Sequence, residues 1–173
     1  SGADWLDNPG SVGRGLLTRV TIVGSSGKTL PPGVIGRIYF KSVNSRHRLP
    51  SWLLNSEHGV ATGDDGYLDE DGHLYVVGRS SDCLNLPEGS VWTQQVREMM
   101  LSKLDLADVA VGIEHEEIVV DFVPGTLERL NLTCADVRVL CERHLGVSPP
   151  VSRVTQRHEL VWEAQGKRIV KVL

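Results

Sequence analysis

Apolar and polar residues alternate along Leu17-Thr-Arg-Val-Thr-Ile-Val23, the two-residue period of a strand with one face buried. After Pro31-Pro-Gly33 the same alternation returns in Gly36-Arg-Ile-Tyr-Phe-Lys-Ser-Val43, so this part of the chain is predicted to form strands of a small sheet or barrel. Further on, Tyr67-Leu68 and His73-Leu-Tyr-Val-Val77 flank Asp69-Glu-Asp-Gly72. Asp-Gly readily takes the positive backbone angles of a tight turn, and the segment reads as a hairpin. Residues 1–9 read as a loose leading segment, and the polar stretch 44–59, with Pro50, as a surface loop.

Beyond Arg79 the period changes. Trp92, Val96, Met99 and Met100 recur at helical spacing, which predicts an amphipathic helix over residues 91–103 with both methionines in a core. Residues 108–113 and 117–123 are strand-like. Thr133 followed three residues later by Asp136 marks a helix start; Val137, Leu140, Cys141 and Leu145 line one face, and Gly146 ends it. Residues 151–157 read as a last strand. Helices packed on one small sheet make an α+β unit. The expected organisation is therefore a β-rich, barrel-like portion over residues 1–80 and an α+β domain over residues 81–173, within what 173 residues can bury.

Composition narrows the function classes. The net charge is −4 with both signs interspersed, which excludes the clustered basic face of a nucleic-acid binder but not a single phosphate-bearing ligand. No run of eighteen apolar residues and no signal pattern is present, so the sequence reads as a cytoplasmic chain without a membrane span. Cys83, Cys134 and Cys141 contain no Cys-x-x-Cys and read as reduced thiols. The six histidines, His47 in the basic Arg46-His47-Arg48 among them, lack metal-ligand spacing, so no metal centre is expected. Gly24-Ser-Ser-Gly-Lys-Thr29 imitates the end of a phosphate-binding loop, but Ile22 stands where the first glycine belongs and Pro31-Pro-Gly33 follows where a helix should begin. It is predicted to be a hairpin turn.

The chemistry concentrates in Ala61-Thr-Gly-Asp-Asp-Gly-Tyr-Leu-Asp-Glu-Asp-Gly-His-Leu-Tyr-Val-Val-Gly-Arg-Ser-Ser-Asp82. The hairpin brings Asp64 and Arg79, fifteen residues apart, to one end. A carboxylate accepts two hydroxyl hydrogen bonds and a guanidinium fork donates to the same sugar; a surface salt bridge beside a turn is the plainer alternative. This run resembles the nucleotide-binding signature of the adenylate-forming superfamily, which includes acyl-CoA synthetases, peptide-synthetase adenylation domains and firefly luciferase. A second resemblance lies in Gly166-Lys167-Arg-Ile-Val-Lys-Val-Leu173, similar to that family's closing Gly-Lys motif.

The resemblance implies that residues 1–80 are the last β-rich subdomain, a distorted barrel, of a large amino-terminal domain, and that residues 81–173 are the mobile small domain. It implies Thr62, Asp64 and Arg79 at the nucleotide and Lys167 as the adenylation catalyst. It implies a hinge at Ser81 with Asp82, where Asp or Lys is usual at the first position. Asn85 and Gly89 fall on the thiol side, in a loop one residue longer than usual, with Asn85 where a basic residue is common. The implied partners are a small carboxylic acid, ATP/AMP, CoA, Mg2+ and the amino-terminal portion of the same protein. The expected function is an acyl-CoA synthetase acting through an acyl-adenylate. Loading of a carrier protein, thioesterification alone, or a non-catalytic interaction module are the alternatives.

Overall fold

Four strands run antiparallel in the spatial order β1-β2-β3-β4: β1 (Thr18–Val23), β2 (Gly36–Ser42), β3 (Val60–Leu68) and β4 (Leu74–Arg79). The computed structural model describes residues 8–15, 18–42, 57–126 and 130–160. The chain divides into two units, Ser1–Ser81 and Asp82–Leu173.

In the first unit the alternation read from the sequence becomes burial. Ile22, Ile38 and Leu74 are the buried side chains of one cluster, with Val20, Leu30, Phe40 and Leu68 packed against them. The Gly24-to-Thr29 segment is a turn: Gly24 N–H donates to Lys28 O, Gly27 N–H donates to Gly24 O, and Val23 bridges Thr29. The barrel expected from the sequence is not formed among the described residues, where the sheet is open; four strands are too few to close around a filled interior. The free side of β4 is met instead by residues 12 and 13, since Val12 N–H donates to Leu74 O at 2.8 Å and Leu74 N–H to Gly13 O at 3.0 Å.

The second unit opens with a hairpin the periodicity did not reveal, β5 (Cys83–Leu86) and β6 (Gly89–Trp92). Val91 and Trp92, expected in a helix, pair with Leu84 and Cys83 instead. Both are good strand formers, and α1 (Thr93–Lys103) begins only where the Gln95 side chain accepts the Trp92 N–H at 3.2 Å. Then come β7 (Leu106–Glu114), β8 (Glu117–Pro124), α2 (Cys134–Leu145) and β9 (Val151–Gln156). β7 and β8 are antiparallel, whereas β8 and β9 are parallel, a pairing that requires a crossover, here α2. The predicted start and stop of α2 are present: Thr133 and Asp136 cap each other reciprocally, and Gly146 adopts φ 73° in the left-handed region. Val96, Met99 and Met100 of α1, Val137 and Cys141 of α2, and Ile118, Val120 and Phe122 of β8 share one core.

Candidate functional site

Asp64 and Arg79 stand directly opposite one another on β3 and β4. Facing residues of an antiparallel pair project to the same side of the sheet, with Cβ atoms about 4.5–5.5 Å apart. Asp64 is half-buried and Arg79, the last residue of its strand, is exposed. This is a carboxylate and a guanidinium held close together by backbone pairing, with the cation at the open end.

A register shift makes that pairing possible. Leu68↔Leu74, Tyr67↔Tyr75 and Gly66↔Val76 follow one register, whereas Asp65↔Gly78 and Asp64↔Arg79 follow another, so Val77 is the extra residue of a β-bulge. Gly66 is required at this crowded crossing: a Cβ there would collide with the Tyr75 carbonyl and with Ile38.

Each half of the pair is braced by a hydroxyl. On β3, Thr62 Oγ1 accepts the Asp64 N–H at 3.0 Å and donates to Ile38 O at 3.3 Å, around Gly63 at φ 84°. The Thr62 hydroxyl is thus spent on shaping the turn of backbone that presents Asp64. On the other side, Ser80 Oγ donates to Asp65 Oδ1 at 2.6 Å. Neither Asp65 nor Ser80 is a site residue in the sequence reading; an aspartate beside Asp64 and a serine after Arg79 give no periodic signal.

The far end of the hairpin is tied by another unforeseen group. His73, 4 % exposed, has its Nδ1 3.0 Å from Asp69 Oδ2, and its backbone N–H donates to Asp69 Oδ1 at 2.8 Å. Arg14 Nε donates to His73 Nε2 at 3.0 Å, so Nε2 carries the lone pair and Nδ1 the proton. Burial pushes the Asp69 carboxyl up, but the backbone and ring N–H groups of His73 outweigh that and hold it below the ordinary aspartate range. Tyr67 and Tyr75 stack 4.9 Å apart on the paired strands, and burial, with Asp69 nearby, raises the Tyr75 phenol.

The remaining predicted site residues fall in different places. Ser81 and Asp82 lie in a short 3₁₀ turn, Ser80–Asp82. Asn85 is exposed on β5, where its Oδ1 accepts from Ser90 Oγ at 2.8 Å and from the Cys83 thiol at 3.8 Å. Gly89 opens β6 at φ 149°, and a Cβ there would reach the Val147 side chain. Lys167, like the basic run 46–48, lies outside the described residues. Among the described residues no group of three or more His, Cys, Asp or Glu side chains could hold a metal ion, and no helix is long and apolar enough to cross a membrane.

No protein-family model matches the chain. Its sequence is 27% identical over 172 residues to the oxalate–CoA ligase of Arabidopsis thaliana, covering 92% of this chain and 32% of that protein. It is 34% identical over 117 residues to the 2-succinylbenzoate–CoA ligase of Geobacillus kaustophilus, covering 64% of this chain and 24% of that one. The chain thus spans about a third or less of the relatives it matches. Its fold is similar to the O-succinylbenzoate coenzyme A synthetase of Bacillus subtilis solved with AMP, at a TM-score of 0.71 and 21% identity over 97% of this chain and 36% of that chain.

Proposed function

We propose that this chain, which matches the carboxy-terminal third of adenylate-forming CoA ligases in sequence and in fold, supplies the ribose grip and the adenylation lysine of an acyl-CoA ligase. The observation that carries the proposal is the facing pair Asp64↔Arg79: two charged side chains, set on one side of a twisted hairpin, match the two adjacent hydroxyls of a ribose. Asp64 accepts from both hydroxyls, and Arg79 donates to the sugar oxygens. The rest of the enzyme would lie in a preceding portion, whose strands complete the barrel around the sheet of the first unit and which provides the phosphate loop, the acyl pocket and the Mg2+ ligands.

The reaction has two halves. A carboxylate attacks the α-phosphorus of ATP, giving an acyl-adenylate and pyrophosphate; a thiol then attacks the acyl carbon and releases AMP. Two anions meet in the first half, and an ammonium bridging them lowers their repulsion. Lys167 is assigned that task from the Gly166-Lys167 motif. The small domain, residues 81–173, then turns about Ser81, with Asp82 beside it, and brings the Asn85 and Gly89 hairpin toward the thiol of CoA. Small residues suit such a hinge because it has only to absorb a backbone rotation.

The test separates the halves in the longer protein that carries this chain. Pyrophosphate release is measured with ATP and a panel of carboxylic acids, and thioester formation is measured from supplied acyl-adenylate and CoA. A protein that forms no acyl-adenylate and consumes none refutes the assignment, leaving a binding module with inherited motifs.

A further inference from the structure

We infer that Asp65 is a positioning residue for the nucleotide: through Ser80 it holds Arg79 in register opposite Asp64. The inference rests on the ribose-grip reading of that pair. Asp64↔Arg79 is the last rung of the β3–β4 ladder, and a terminal rung is where strand pairing opens most readily. After Arg79 the chain leaves the sheet for the 3₁₀ turn Ser80–Asp82. The side-chain bond from Ser80 Oγ to Asp65 Oδ1, at 2.6 Å and within the first unit, extends the ladder by one side-chain rung beyond its last backbone pair. A hydroxyl donating to a carboxylate is shorter and about twice as strong as a neutral pair.

The geometry divides the labour between two adjacent aspartates. Successive residues of a strand project to opposite faces, so Asp64 shares its face with Arg79 while Asp65 projects to the other, between Gly78 of β4, which has no side chain, and Arg37 of β2. Thr62 already fixes the β3 side of the pair through the Asp64 N–H. Asp65 and Ser80 do the same for the β4 side, and they end the fixed portion of the chain one residue before the proposed pivot at Ser81.

The experiment measures AMP binding by calorimetry, together with thermal stability, on the longer protein carrying Asp64→Ala, Ser80→Ala, Ser80→Thr or Asp65→Asn. Ser80→Ala, which removes the bond, is expected to weaken AMP binding about three- to tenfold, and Asp65→Asn, which keeps an acceptor but removes its charge, is expected to weaken it measurably as well. Ser80→Thr, which keeps the hydroxyl, should bind as the parent does, and the double variant Ser80→Ala, Asp65→Asn should lose less than the sum of the two single losses. Unchanged AMP affinity in Ser80→Ala beside a clear loss in Asp64→Ala overturns the positioning role, as does equal weakening by Ser80→Thr and Ser80→Ala. A loss of melting temperature in Ser80→Ala with AMP affinity kept would make the bond structural only. If Asp64→Ala itself binds AMP as the parent does, it is the ribose-grip reading that fails.

Discussion

The two units differ in how much apolar core they carry. Among the described residues, Asp82–Leu173 has a cluster of twelve buried side chains, eleven from both helices and β5 to β8 and the twelfth, Val147, from the segment before β9, whereas the first unit has a cluster of three, Ile22, Ile38 and Leu74. Polar ties occur in both units, Arg157 Nε to the buried Asp121 in the second among them; with its smaller core the first unit depends more on those at specific rungs, Ser11 Oγ to Leu74 O, Arg14 to His73 to Asp69, and Ser80 to Asp65. Apolar packing is non-directional and tolerates substitution that keeps volume. Hydrogen-bonded rungs are directional, and they define the position of a side chain such as Arg79 better than they stabilise a fold. The difference suits the proposed roles, in which the small domain moves as a body and the sheet keeps a nucleotide in register.

The largest test of that contrast is Phe122→Ala, which empties the centre of the second core and should cost about 3–5 kcal/mol in denaturant unfolding of that unit. AMP affinity of the longer protein at low denaturant should remain within about twofold, as expected for sites without shared partners; a joint loss would mean the units are not energetically separate. Next, Lys167→Ala should slow adenylate formation about a hundredfold or more and leave thioester formation from supplied acyl-adenylate within several-fold. Equal losses in both assays would assign Lys167 to AMP binding or to the fold. Asp64→Ala should weaken AMP binding by about 1–3 kcal/mol, the range for hydrogen bonds to a charged group, with the second unit's melting unchanged.

Two smaller effects belong to the second unit alone. Thr133→Ala removes one half of the α2 capping pair and should cost about 1 kcal/mol of its stability, read in the same unfolding assay, with no change in AMP affinity. Burial raises the Cys141 thiol to about 11. Since the thiolate is the reactive form and is favoured only above that pH, Cys141 should resist alkylation at neutral pH in the native protein and label as the core opens. Rapid labelling without unfolding would place this part of α2 outside the core.

What was legible in the sequence follows the same divide. The α2 boundaries could be read from Thr133, Asp136 and Gly146, because caps are local chemistry, and the core positions of Met99 and Met100 from helical spacing. The β5–β6 hairpin was not legible. Four-residue strands hold too few alternations, and the helix-like spacing of Trp92 and Val96 extended the predicted helix backward across β6. In the first unit the hairpin and the Asp64, Arg79 pair were foreseen, but the braces were not. Ser80 meets Asp65, and Arg14 meets His73, only once the sheet exists, so neither contact leaves a mark on local periodicity.

The bulge at Val77 gives the Asp64-to-Arg79 spacing a counting rule. A regular ladder continuing from Leu68↔Leu74 sets Asp64 opposite Gly78 and Arg79 opposite Gly63, on the other face; the additional residue slips the ladder by one and restores the match. Removing Val77 would straighten β4 and still leave the arginine across from Asp64. Adding a residue beside it would demand a second slip within two rungs of the strand end, or turn the arginine to the opposite face. Loss is therefore the milder change at this position and gain the harsher one, so among descendants of this hairpin Asp-to-Arg spacings of fourteen and fifteen are interchangeable in geometry, while sixteen is not.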